Sequence, residues 1–162
     1  MAIHPTGRTQ NVKASLYNYL QSNFTTTPIQ FAGSAFDEQN KKEWVRADVI
    51  IESTEYFRQV TVAGLYGADL VVLMNMNVII KADEVLIQNL YRREQIVDEL
   101  RHIFRVPVAI PVFDHFASPT TDIGTLRTSE IEDTELGYNL EASFFQHNVS
   151  ATLYFLSMWP GP

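Results

Sequence analysis

The stretch from Tyr66 to Lys81, YGADLVVLMNMNVIIK, constrains this chain more than any other. Its even positions, Tyr66, Ala68, Leu70, Val72, Met74, Met76, Val78 and Ile80, form an unbroken apolar row. Its odd positions mix Asp69, Asn75, Asn77 and Lys81 with Val71, Leu73 and Ile79. Successive side chains of a strand point to opposite faces, so this pattern predicts a long strand with one core face. At ~3.3 Å per residue such a strand extends ~50 Å, more than a domain of this size usually needs internally. A strand that outgrows its domain points to a neighbour, and so to an assembly component.

With 162 residues the chain fits one domain, read here as 1–162 with 1–8 as a flexible N-terminal arm containing Pro5 and Gly7. A hydrophobic share of 46% with 19% charged residues excludes a disordered class. The chain has no cysteine, which rules out disulfides and thiolate metal sites. Asn75 and Asn77 interrupt the most apolar run, so no membrane span is expected, and MAIHPTGRTQN does not read as a signal peptide. The net charge of −7 speaks against tight nucleic-acid binding through phosphate neutralisation. Cytoplasm is the simplest compartment.

Along the chain, a helix is expected from Thr9 or Asn11 to about Phe24, with Val12, Leu16, Leu20 and Phe24 as its buried stripe. Two strands, Ile29 to Phe36 and Trp44 to Glu52, are expected to pair antiparallel across the polar loop Asp37 to Glu43. Phe57 to Val62 reads as a possible edge strand. After the long strand, Asp83 is a candidate cap for a second helix reaching about Arg105. A short extended piece, VPVAIPVF, and a loop from Asp114 to Asp122 come next. Gly124 to Glu132 and Glu135 to Phe144 are expected to form a hairpin about Glu132 to Thr134, and Asn148 to Trp159 a final strand. The sum is an α+β domain: a mostly antiparallel mixed sheet, two main helices on one face, and a C-terminal β-hairpin region.

Reactive motifs are scarce. No phosphate-binding glycine loop and no nucleophile elbow occur, and the four histidines lack metal-ligand spacing. Asp114–His115 is the one adjacent pair suited to acid–base work, set against an ordinary loop pair. The chain therefore reads as no enzyme, with no cofactor and no metal. Glu130, Glu132, Asp133 and Glu135 form the strongest charge cluster, either a solvated hairpin tip or an acidic surface past which DNA slides. Asn75 and Asn77 are either solvated positions or polar groups at a subunit contact, and Trp159 is either core or an intersubunit anchor.

The order of segments resembles the tail terminator, or tail completion, proteins of long-tailed bacteriophages. The resemblance rests on the opening helix NVKASLYNYLQSNF, the strand ending in WVRADVII and the long strand ADLVVLMNMNVIIK. The helix RREQIVDELRHIF and the closing segment HNVSATLYFLSMW complete it. It implies a homohexameric ring in the virion that caps the tail tube, stops its growth and offers a surface to the head–neck connector. Genomic DNA would pass through an acidic channel without specific binding. The resemblance carries no catalytic residue. A tail-tube or neck protein of the same virion is the alternative, as is a small α+β ligand-binding domain using Asp114 and His115. A partner-binding adaptor that gains a strand at Phe57 to Val62 is a third.

Overall fold

A computed structural model describes residues 5–59, 65–82, 86–141 and 143–160. The elements are α1 (Pro5–Asn23), β1 (Ile29–Phe31), β2 (Glu43–Gln59), β3 (Leu65–Lys81), α2 (Leu86–Ile103), β4 (Ala109–Asp114), β5 (Thr121–Asn139) and β6 (Phe144–Pro160). The six strands form one sheet in the order β1-β2-β3-β6-β5-β4. Every pairing is antiparallel except β1 with β2. The α+β class and the mixed, mostly antiparallel sheet are as the patterning requires.

The even row of β3 is the spine of the core. Leu70, Val72, Met74, Met76, Val78 and Ile80 are all buried. Registered beside them are Val45, Ala47 and Val49 on β2, and Val149, Ala151, Leu153 and Phe155 on β6. Both helices cover this face. Val12, Leu16, Leu20 and Phe24 of α1 join the core, as do Ile96, Val97 and Leu100 of α2 and Phe104 just beyond it. The helices are stitched to one another: the Tyr19 hydroxyl donates to the Ile103 carbonyl, and Thr26 Oγ1 donates to Glu99. At ~25 cal/mol per Å² of apolar area removed from water, this face supplies most of the fold's stability.

Several boundaries differ from the patterning. The helix α1 begins at Pro5, not at Thr9 or Asn11, so the expected arm is helical from residue 5, while residues 1–4 lie outside the described residues. Proline suits a first helical turn because its missing N–H has no helical partner there. The expected strand Ile29 to Phe36 stops at Phe31, where the Ser34 N–H and hydroxyl both bond the Phe31 carbonyl and Gly33 adopts φ 79°. It pairs with β2 in parallel, correcting the expected hairpin, because residues 32–42 cross over instead of turning tightly back. Residues 57–59, expected as a separate edge strand, continue β2, while 60–62 lie outside the described residues. The expected cap Asp83 also lies outside them.

The largest correction concerns the acidic hairpin. Residues 121–139 form one strand that passes straight through Glu132 to Thr134, so these residues are not a hairpin tip. They include no glycine or asparagine to accept positive φ, and each keeps a partner on β6. The turn falls instead between Asn139 and Phe144. There Asn139 Oδ1 accepts the Glu141 N–H and Ser143 takes φ 54°. Gly137, at φ 77°, absorbs the register shift between Glu135 and Gly137.

Candidate interaction surface

Among the described residues, one face of the sheet carries both helices and the other carries none. The opposite face presents Val71, Leu73, Asn75 and Asn77 of β3, Arg46, Asp48 and Ile50 of β2, Asn148, Ser150, Thr152 and Tyr154 of β6, and Glu130 and Glu132 of β5, as the register dictates. Two successive rungs illustrate its chemistry. One runs Asp48–Asn75–Ser150–Glu132, and the next Ile50–Leu73–Thr152–Glu130. The inner strands therefore show uncharged side chains, and acids stand on the outer ones. Ile50 is 42% exposed and Tyr154 is 50% exposed on this face. One corner is closed: the 32–42 crossover lays Phe36 against Trp44, ring centroids 6.3 Å apart, over buried Trp44 and Ile79. Lys81 Nζ locks that crossover by donating to the Glu38 carbonyl at 2.6 Å and the Gln39 carbonyl at 3.2 Å.

Asn75 and Asn77 lie on this open face, half-buried. Asn148 Nδ2, on the adjacent strand, donates to Asn77 Oδ1 at 2.9 Å and to Asn75 Oδ1. The three amides thus form a ladder within the subunit through the oxygens of 75 and 77. For Trp159 the backbone pairs with Tyr66, and its side chain lies outside the described residues.

The structure does not bring the four acids together. Glu130 and Glu132 stand exposed on the open face. Asp133 and Glu135 turn to the helix face, where α2 has cations waiting. Arg93 Nη1 lies 2.7 Å from Glu135 Oε1, and Arg101 Nη1 lies 3.2 Å from Asp133 Oδ1. His147 Nε2 meets Asp133 Oδ2 at 2.9 Å. Arg93 and His147 are buried, so these acids hold α2 onto the sheet. A surface of all four acids facing DNA is excluded; the register leaves Glu130 and Glu132 on one side.

Asp114 and His115 also part company. Asp114 Oδ1 accepts from Asn11 Nδ2 at 3.2 Å and from the Phe116 N–H at 3.0 Å. His115 Nε2 lies 3.2 Å from Ser15 Oγ, while the His115 N–H donates to Asn11 Oδ1. Ser15 Oγ also accepts the Phe113 N–H at 3.0 Å. Buried Ser15 and Asn11 thereby fasten the end of β4 to α1. A Ser–His couple becomes a nucleophile and base only when a third group orients the imidazole. No interaction among the described residues supplies one. A cavity of about 200 Å³ adjoins the couple, lined by Tyr19, Ile110, Pro111 and Phe113. Among the described residues no three metal-ligating side chains gather, and no helix is long and apolar enough to cross a membrane.

Sequence reasoning missed a basic corner. Lys42, Lys81 and Arg92 border a cleft of about 360 Å³ with Glu43 and Asn89 where β2, β3 and α2 meet. Arg92 grips Glu43 through Nε at 3.0 Å and Nη2 at 2.7 Å, and the Glu43 bond raises its pKa further above the ordinary value. Arg46 extends the corner along the open face, reaching Gln30 at 3.1 Å and Glu38 at 3.3 Å. These cations are up to fifty residues apart in the chain, so only the pairing of strands could reveal them.

No protein-family model matches this chain, and no curated protein matches it either.

Proposed function

We propose that this protein is a structural assembly component that works as a ring of identical subunits, in the manner of a phage tail terminator. One observation carries the reading: four adjacent strands of 17 to 19 residues build a sheet with one face free of helices. At ~3.3 Å per residue these strands run ~55 Å or more, a length that suits a wall shared between subunits. In this reading the open face is turned to the channel. Asp48, Glu52, Glu130 and Glu132 then repel a passing polyanion, and DNA moves through without adhering. One end of the ring matches the last ring of the tail tube and the other presents a different surface to the head–neck connector. A subunit of this kind ends a polymer by offering no second tube-compatible face.

Mass measurement in solution together with negative-stain imaging tests the reading. Rings with a central hole are expected, and a strict monomer at every concentration would overturn it. Added to growing tube subunits, a terminator halts elongation. A tube protein would join the polymer, and the terminator assignment would then fall.

A further inference from the structure

The two sides of the sheet are cut to fit each other. On one side β1 covers only Val45 to Ala47 of β2, and the Val49 backbone bonds the Tyr17 hydroxyl. Beyond that point, from Ile50 to Gln59, β2 has no strand beside it among the described residues. On the other side β4 covers only Thr121 to Arg127 of β5 and the Thr128 N–H bonds the Val108 carbonyl, leaving Ser129 to Asn139 without an outer strand among the described residues. The registers give the heights. The rung Val45–Val78–His147–Glu135 places β1 level with the uncovered part of β5. The rung Thr54–Leu70–Phe155–Leu126–Ile110 places β4 level with the uncovered part of β2. Each side therefore has a projecting short strand where the other has a recess.

Strand direction agrees with this fit. β1 runs with β2, β3 runs against β2, β6 against β3, and β5 against β6. When two copies stand side by side in the same orientation, β1 of one meets the uncovered β5 of the other antiparallel. Charge agrees as well. The β1 side carries Lys41, Lys42, Arg46, Lys81 and Arg92 against the carboxylates of Asp37, Glu38, Glu43 and, in the rung of Glu132, Asp48. Beside that height the β5 side carries Glu132, with Glu130 two residues further along, while Glu135 is held by Arg93 and Glu141 follows in the turn. Arg46, in the rung Arg46–Asn77–Asn148–Thr134, lies within two rungs of the level of Glu132.

From this we infer that the β1–β2 side of one copy docks against the β5–β4 side of a second copy of this chain. The inference rests on the self-assembly part of the function proposed above and names its contact. The two sides differ, so the contact is heterologous, and repetition produces a ring when the rotation closes. The acids and bulges of β5 also exclude indiscriminate strand addition, because an edge lined with carboxylates admits only a basic partner.

Charge exchange is the test, with assembly read by light scattering and imaging at two salt concentrations. Glu130 and Glu132 are exposed and their side chains make no bond among the described residues, so Glu130→Lys with Glu132→Lys leaves the fold intact, which circular dichroism checks. That variant is expected to weaken assembly at least about tenfold at low salt. Lys41→Glu with Arg46→Glu is expected to do the same, and all four changes in one chain to restore assembly. Wild-type rings that ignore both salt and the lysine changes would overturn this contact while leaving the ring itself standing. A wild-type chain that never associates would sink both ideas.

Discussion

The two faces of β3 belong to one strand yet live under different rules. The even residues are sealed: Val72, Met74, Met76 and Val78 are each 0% exposed beneath two helices. On the odd face, Val71, Leu73, Asn75 and Asn77 are only half-buried, although Val71 and Leu73 are as apolar as their neighbours. Hydrophobicity does not separate the faces; coverage does. A helix pair needs an apolar sheet face to bury its own stripe, and the two helices among the described residues suffice for one face. The second face is left with amides, hydroxyls and acids that tolerate water, and with Ile50 and Tyr154 that invite a partner.

The sharpest way to break this contrast is to truncate both faces. Met74→Ala is expected to cost about 2–5 kcal/mol in denaturant unfolding, because it opens a cavity under α1 and α2. Leu73→Ala, one residue away, is expected to cost about 1 kcal/mol or less. Equal losses would mean that the open face is a second core. Ser15→Ala is the next largest: it strips the Phe113 N–H of its acceptor in a buried site and is expected to cost about 1–3 kcal/mol. Ser15→Thr, which keeps the hydroxyl, separates that loss from any effect of volume. Glu135→Gln leaves buried Arg93 with exposed Glu94, at 2.8 Å, as its one carboxylate among the described residues, and is expected to cost about 1–2 kcal/mol. The cost should persist in high salt, because a buried guanidinium is poorly screened.

The smallest effect concerns pH. Burial raises the Tyr17 phenol above its ordinary value, Asp48 adds to the rise, and the Val49 backbone bond partly offsets both. Burial raises Tyr19 too, with Arg105 opposing. A phenol whose folded pKa exceeds the unfolded value contributes its stability in full below the unfolded pKa of 10.0. That contribution is lost as pH climbs through the raised folded value. Thermal unfolding between pH 9 and 11 should therefore show falling stability, and Tyr17→Phe should shallow the slope. A steeper slope in that variant would contradict the assignment.

Much of the architecture was legible from period alone. The alternation at 70–80 and the fourfold spacing of Val12, Leu16, Leu20 and Phe24 each report a repeat that one side of one element must satisfy. The hairpin at Glu132 to Thr134 failed for a local reason. A run of acids looks like a solvated turn, yet each of these residues pairs with β6, and the chain reverses only after Asn139, where Ser143 takes φ 54°. The partners of Asp114 and His115 were hidden for another: both side chains reach α1, at Asn11 and Ser15, far away in the chain.

Which residues are apolar, and at what interval, was enough to require a long one-sided strand, two amphipathic helices and a sheet to bury them. What lies beside what was not. Glu130 and Glu135 share a strand and a charge, yet one faces water and the other a buried arginine, because they alternate in an unbroken register and only the side under α2 offers Arg93. The matching recesses at the two sides of the sheet arise from pairings between segments up to a hundred residues apart. Periodicity is a property of neighbours along the chain; register, bulges and edges are set by strands that meet only once the core has closed.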